Sequence, residues 1–216
     1  PPGAGPSADY SLAAGVLRGY MAEREFRVVL VTSAAAGEGK STAAANLATA
    51  LARKGVNVAL VDADLRAPRL STIFGLDDSQ GLSTLLMGAE IQPDLPAGAT
   101  DVASLRVLTS GPTSDLPEEL LESPRMAELL KALRERYEVV VIDGPPVAAG
   151  GDAVTLARLA DTVAWVVRAG RLPAGRLGWV KHILKNVGAD VAGVILVGSG
   201  ESAAEREYAY PVGVTN

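Results

Sequence analysis

"SAAAGEGKST", residues 33–42, decides the fold. Ahead of it lies "VVLVT", residues 28–32, all β-branched or apolar; behind it runs a series of alanines from Ala43 to Ala45. A strand, a glycine-bearing turn and a helix start therefore follow one another, which is the context a phosphate-binding loop requires. Gly37 and Gly39 let successive backbone N–H groups turn inward around a phosphate. A helix starting at about Lys40 adds its N-terminal dipole. The candidate nucleotide-binding residues are Ala36, Gly37, Glu38, Gly39, Lys40, Ser41 and Thr42. Lys40 is placed to reach the β- and γ-phosphates, Ser41 to offer its hydroxyl to magnesium, and Thr42 to touch the α-phosphate side. The loop pattern wants glycine where Ala34 stands. A small residue serves there if its φ is negative.

Working outward, apolar runs at 28–32, 57–62, 105–109, 138–142, 162–168 and 191–197 read as strands. Runs this continuous suit a parallel sheet covered on both faces. Helical stretches are expected at about 9–23, 40–54, 116–136, 152–159 and 174–187, with short helices near "LSTIFGL" and "GLSTLLMG". Gly55 is a C-terminal cap, and Ser123 with Pro124 starts a new helix inside 116–136. Alternation of this kind implies an α/β fold, a doubly wound, mostly parallel sheet of P-loop NTPase type. The 216 residues suit one domain. Residues 1–8 read as a Pro/Gly linker, 9–200 as the P-loop domain, and 201–216 as a tail carrying tyrosines.

Ligands of an open parallel sheet bind beyond the carboxyl ends of its strands. The run 57–62 ends in "VDADLRAPRL", and Asp62 and Asp64, two apart, face the same way if the chain is extended. Such a pair can hold a hard cation or accept a hydroxyl proton; an Asp-rich turn with Asp64 capping the next segment is the plainer alternative. The run 138–142 ends in "VIDGPP", an apolar strand terminating in Asp143, the Walker B pattern. Ser41, Asp62 and Asp143 are thus the candidate magnesium ligands, and Lys40, Asp62, Asp64 and Asp143 the candidate catalytic residues.

Composition bounds the function. Hydrophobic residues make up 48% and charged residues 21%, an ordinary globular balance. The net charge of −5 argues against a nucleic-acid binder. With no cysteine and His182 as the sole histidine, thiolate and multi-histidine metal sites are excluded. No apolar run approaches the roughly 18 residues of a membrane span, and no signal peptide is visible. Because the chain begins with Pro1, it reads as a piece of a longer or processed protein.

"SAAAGEGKST", "VALVDADLRAPRL" and "VVVIDGPP", in this order, resemble the bacterial tyrosine kinases, the cytoplasmic kinase domains of polysaccharide co-polymerases. The likeness continues through "GLSTLLMG", "LRVLTSGP", "LPEELLESPRM" and "DTVAWVVRAGR", covering about residues 9 to 210. Asp62, Asp64 and Arg66 match the family's Walker A′ segment, its discriminating feature. Related ATPases that partition DNA carry a lysine at the start of the loop; here Ala34 stands there, as small residues do in the kinases. The resemblance implies ATP and magnesium as cofactors and autophosphorylation on tyrosines of the C-terminal tail. It also implies a homo-oligomer and a cytoplasmic place at the inner face of the membrane. The partner there would be a membrane co-polymerase or activator segment, upstream in the same chain or separate; no nucleic acid is expected.

The sequence departs from the family at three places. The tail "EREYAYPVGVTN" has only Tyr208 and Tyr210 as candidate phosphoacceptors. Of the family's Glu-x-x-Arg-x-x-Arg assembly pattern only Arg18 remains, with Leu12 and Gly15 at the other places. Val197 stands where an asparagine is common near the last strand's end. A nucleotide-dependent switch or adaptor, or a partitioning-type P-loop ATPase, are the alternatives to an autokinase. Trp165 and Trp179 are expected in packing, and Lys181, His182 and Lys185 on a solvated face. Arg168 and Arg171 follow a strand end, near the nucleotide or a neighbouring molecule.

Overall fold

The structure, a computed structural model, describes residues 8–89, 98–113, 116–171 and 174–198. Seven strands form one sheet in the order β3-β4-β2-β5-β1-β6-β7. They are β1 (Val28–Ser33), β2 (Val58–Asp62), β3 (Gly98–Ala99), β4 (Leu105–Leu108), β5 (Val139–Asp143), β6 (Thr162–Arg168) and β7 (Val191–Val197). Every pairing is parallel except that of β3 with β4. Six of the seven lie where the apolar runs place them. The edge strand β3 is two residues of Gly and Ala, too short and too small to leave a hydrophobic pattern.

The sheet separates two cores. Val29 and Val31 face one side with Val58 and Leu60; Val28 and Leu30 face the other with Ala59 and Val61. This is the two-residue alternation of a strand, with both sides apolar because both are covered. The helices α1 (Ala8–Glu23), α2 (Lys40–Arg53) and α3 (Leu70–Phe74) cover the first face. The other face is covered by α4 (Leu82–Leu86), α5 (Pro117–Glu122), α6 (Pro124–Arg136), α7 (Gly151–Leu159) and α8 (Ala174–Asn186). Ala43, Ala44 and Ala48 are fully buried, so α2 lies close against the strands. Tyr20 rivets α1 to the start of β7: its hydroxyl donates to Asp190 Oδ2 at 2.5 Å, and Arg24 stacks over its ring.

Two expectations need correction. Ser123 does sit at the N-cap of α6, but its hydroxyl donates backward to the Leu120 carbonyl at 2.7 Å and not to the new helix. Trp165 is buried as expected, whereas Trp179 is 43% exposed, because it lies on the outer side of α8 while Val180 and Leu184 face the core. Lys181, His182 and Lys185 are not buried on that helix, as suits a solvated face.

Candidate nucleotide site

The carboxyl ends of β1, β2 and β5 meet at one point. Asp62 and Asp143 are register partners across β2 and β5, and β1 delivers the 33–42 loop beside them. This is where the chain order of the strands turns back on itself, the place at which such sheets bind ligands.

Gly37 (φ 80°) and Gly39 (φ 90°) occupy the left-handed region, where a side chain would be strained. Gly39 caps α2 without any side-chain bond, so the first amides of that helix stay open to a ligand. Ala34 has no need of glycine: the only non-glycine residue with positive φ among the described residues is Glu25. Ala34 is fully buried, and its N–H donates to Glu38 Oε2 at 3.2 Å. Glu38 therefore braces the loop from within. Burial drives its carboxyl above the usual range, against the Ala34 and Ala35 amides, so its side chain serves the loop while its backbone N–H is the group offered to a phosphate.

Lys40 lies at the centre. Its Nζ is 2.5 Å from Asp64 Oδ2, 4.0 Å from Asp143 Oδ1, and donates to Ser41 Oγ at 3.3 Å. The two Walker A′ aspartates have different surroundings. Asp62, at the end of β2, is fully buried and accepts from the Arg69 and Leu70 amides at 3.0 and 2.8 Å through Oδ2, leaving Oδ1 unpartnered. Asp64 lies beyond the strand, accepts from the Ala67 N–H at 3.2 Å and lines the cleft. Asp64 closes a turn to Ala67, while the amides that open α3 are met by Asp62 and not by Asp64. Asp143 is fully buried, with Ser41 and Lys40 beside its carboxylate but no hydrogen bond of good geometry to either oxygen. Burial raises Asp62 to about 6, and Asp143 to about 7 in spite of the nearby Lys40 charge.

A cleft of about 410 Å³ opens on this cluster, lined among others by Ala36, Gly37, Gly39, Lys40, Ser41 and Thr42. Among the described residues no three His, Cys, Asp or Glu side chains are grouped to hold a metal by themselves. Magnesium does not need such a cage: it takes one or two carboxylates and completes its shell with waters and substrate phosphates. The three orphaned oxygens of Asp62 and Asp143, beside the Ser41 hydroxyl, fit that donor set.

Arg66 does not reach the phosphate loop. Its Nε and Nη2 donate to Asp152 Oδ2 and Oδ1 at 2.7 and 3.3 Å, and Nη2 lies 3.8 Å from Glu118. It ties the Walker A′ turn to the first turn of α7. Asp152 was missed in the sequence; an acid in the first turn of a helix is ordinarily explained by the helix dipole alone. Arg66→Ala should leave this buried carboxylate unpaired and cost about 1–2 kcal/mol, the screening at a half-exposed arginine included. Lysine should recover only part, lacking the two-pronged geometry. Urea unfolding checks both; an unchanged midpoint removes the pair as a stabilising tie. Tyr208 and Tyr210 lie outside the described residues.

Comparison with known proteins places the fold in a family. Residues 25–195 match the family model described as "ParA: NUBPL iron-transfer P-loop NTPase". YwqD, a tyrosine-protein kinase of Bacillus subtilis (strain 168), is 37% identical over 188 residues, 87% of this chain and 78% of YwqD. The chain belongs to the bacterial tyrosine kinases. The kinase domain of the Escherichia coli tyrosine kinase ETK superposes with a TM-score of 0.81 at 29% identity, over 93% of this chain and 77% of that one. ExoP of Rhizobium meliloti (strain 1021), a succinoglycan biosynthesis transport protein, is 36% identical over 181 residues. Those residues are 82% of this chain but only 23% of ExoP. Among the described residues, no helix is long and apolar enough to cross a membrane.

Proposed function

We propose that this chain is an ATP-dependent protein-tyrosine autokinase of exopolysaccharide synthesis. The observation that carries the reading is the buried Lys40, set among Asp62, Asp64 and Asp143 at the mouth of a phosphate-binding loop. Phosphoryl transfer asks for little covalent chemistry from a protein; it asks for positioning and for charge placed where charge develops.

Each residue then has a distinct role. The amides of residues 37 to 42 cradle the β- and γ-phosphates. Ser41, Asp62 and Asp143 would hold magnesium, which neutralises phosphate charge when bound. Their burial, costly while they are unliganded, is the environment in which a cation is held most strongly. Asp64, the carboxylate that faces the cleft, orients the tyrosine hydroxyl and takes its proton. Lys40 pairs with Asp64. An incoming phosphate competes for Lys40 and frees Asp64 for the acceptor, so nucleotide binding prepares the base.

The likeness to ExoP supports a place beside a membrane co-polymerase or its activator segment, at the inner face of the membrane, with residues 9–200 as the kinase domain. Assembly of several copies is part of this reading. Acceptors are Tyr208 and Tyr210 in the tail, each gaining about −1.5 to −2 charge on phosphorylation. Mass spectrometry after incubation with magnesium and ATP should find phosphate on one or both, and none in Lys40→Met. Unmodified tyrosines, even with an activating partner segment present, would leave a nucleotide-dependent switch and overturn the autokinase.

A further inference from the structure

Two arginines from the end of β6 converge on the apex of the phosphate loop. Arg168 Nη1 donates to the Gly37 carbonyl at 3.4 Å, between residues 131 positions apart. Arg171 Nη1 lies 3.8 Å from the position a Cβ on Gly37 would take. Among the described residues neither guanidinium is paired with a carboxylate, whereas Arg66 and Arg134 are. Lys40, the loop's own cation, is already engaged by Asp64 and has Asp143 beside it. The start of the loop contributes no further charge, because Ala34, Ala35 and Ala36 stand there. One lysine among three carboxylates is a poor match for the triphosphate of a nucleotide, which brings several negative charges of its own. The apex at Gly37 has no side chain and a guanidinium above it. A second cation is thus available at the loop apex, apart from the aspartates.

We propose that Arg171 is a phosphate ligand acting within its own chain, directed at the terminal phosphate of a bound nucleoside triphosphate, and that Arg168 is a positioning residue which holds the loop apex beneath it. The proposal rests on the nucleotide reading of the site above. A guanidinium is well matched to this role, since it stays charged and its donors form a planar fork that fits phosphate oxygens. Arg171 would make the site favour triphosphate over diphosphate. Arg168, bonded to the backbone, would affect both nucleotides alike.

Titration calorimetry with magnesium-ADP and with a non-hydrolysable ATP analogue tests this on the whole chain. The Arg171→Ala variant should lose about tenfold or more in affinity for the triphosphate analogue and keep ADP binding within about twofold. Arg171→Lys should restore part of the difference, through charge without the fork. Arg168→Ala should weaken both nucleotides by the same factor. Equal affinities of Arg171→Ala and the parent chain for both nucleotides would overturn the ligand role, as would an equal loss for both. An Arg168→Ala variant that binds both as tightly as the parent overturns the positioning role. If the parent chain binds neither nucleotide, the nucleotide reading itself fails, a result distinct from all of these. Circular dichroism of each variant separates lost affinity from lost structure.

Discussion

Lys40→Met should reduce ATP turnover by about a hundred- to thousandfold, the scale on which removing one preorganised charge-stabilising donor acts. It should also destabilise the fold, which the loop sequence alone does not suggest. The Lys40 side chain is 9% exposed and its Asp64 partner 3%. Breaking a buried pair by removing one member typically costs about 3–5 kcal/mol, because a charge stays behind without compensation. Here the residue left behind is an acidic cluster. Lys40 also lowers the pKa of both Asp62 and Asp143, so without it both bind protons more readily. The destabilisation should therefore be greater at pH 8 than at pH 5, where these carboxyls are protonated in any case. Lys40→Met combined with Asp64→Asn should recover stability without recovering turnover. Urea unfolding at the two pH values with a turnover assay reads both effects. A folded Lys40→Met protein with undiminished turnover would remove Lys40 from the phosphate site.

Asp143→Asn should separate stability from function in the opposite direction. Burial lifts the Asp143 carboxyl from its ordinary value of 3.8 to about 7, so the folded state binds its proton more tightly than the unfolded state does. The sign follows: this group's contribution is most favourable at low pH, declines as pH rises from about 4 to about 7, and is flat above. Asp62 adds a similar decline that ends at about 6. Without divalent cation, the parent protein should lose thermal stability across that window. Asp143→Asn should flatten most of the slope and be more stable than the parent at pH 8, by something on the order of 2–4 kcal/mol. At pH 4 the advantage should vanish. The same variant should bind magnesium-nucleotide poorly and lose turnover. Thermal unfolding between pH 4 and pH 8.5, with and without magnesium and nucleotide, is the measurement. A parent protein whose stability rises over this window would show that these carboxyls are not held against burial.

Both variants probe how the site is built. Carboxylates buried at strand ends cost stability until a cation compensates them, and under the proposed function magnesium-nucleotide supplies that compensation. Lys40 offsets part of that cost through its contacts with Asp64 and Asp143.

The primary sequence determined the sheet and the phosphate loop, because both rest on local chemistry. Continuous apolar runs separated by helical stretches can be satisfied only by strands buried on both faces. Gly37 and Gly39 mark the left-handed positions of the turn, and Lys40 opens a helix whose alanines permit close approach. Asp62, Asp64 and Asp143 were legible as strand-end acids for the same reason. Tertiary structure decided how those groups divide the work. Asp62 and Asp64 look alike in "VDADLR"; only the Arg69 and Leu70 amides fix one deep in the sheet and leave the other facing the cleft beside Lys40. Arg66, which belongs to the nucleotide motif by position, turns away to Asp152, 86 residues on. Glu38 points inward, and Arg168 reaches the loop across 131 positions. Pairings of this kind depend on which strands are neighbours and in what register. That order is set by the packing of the whole sheet, and no local pattern of residues encodes it.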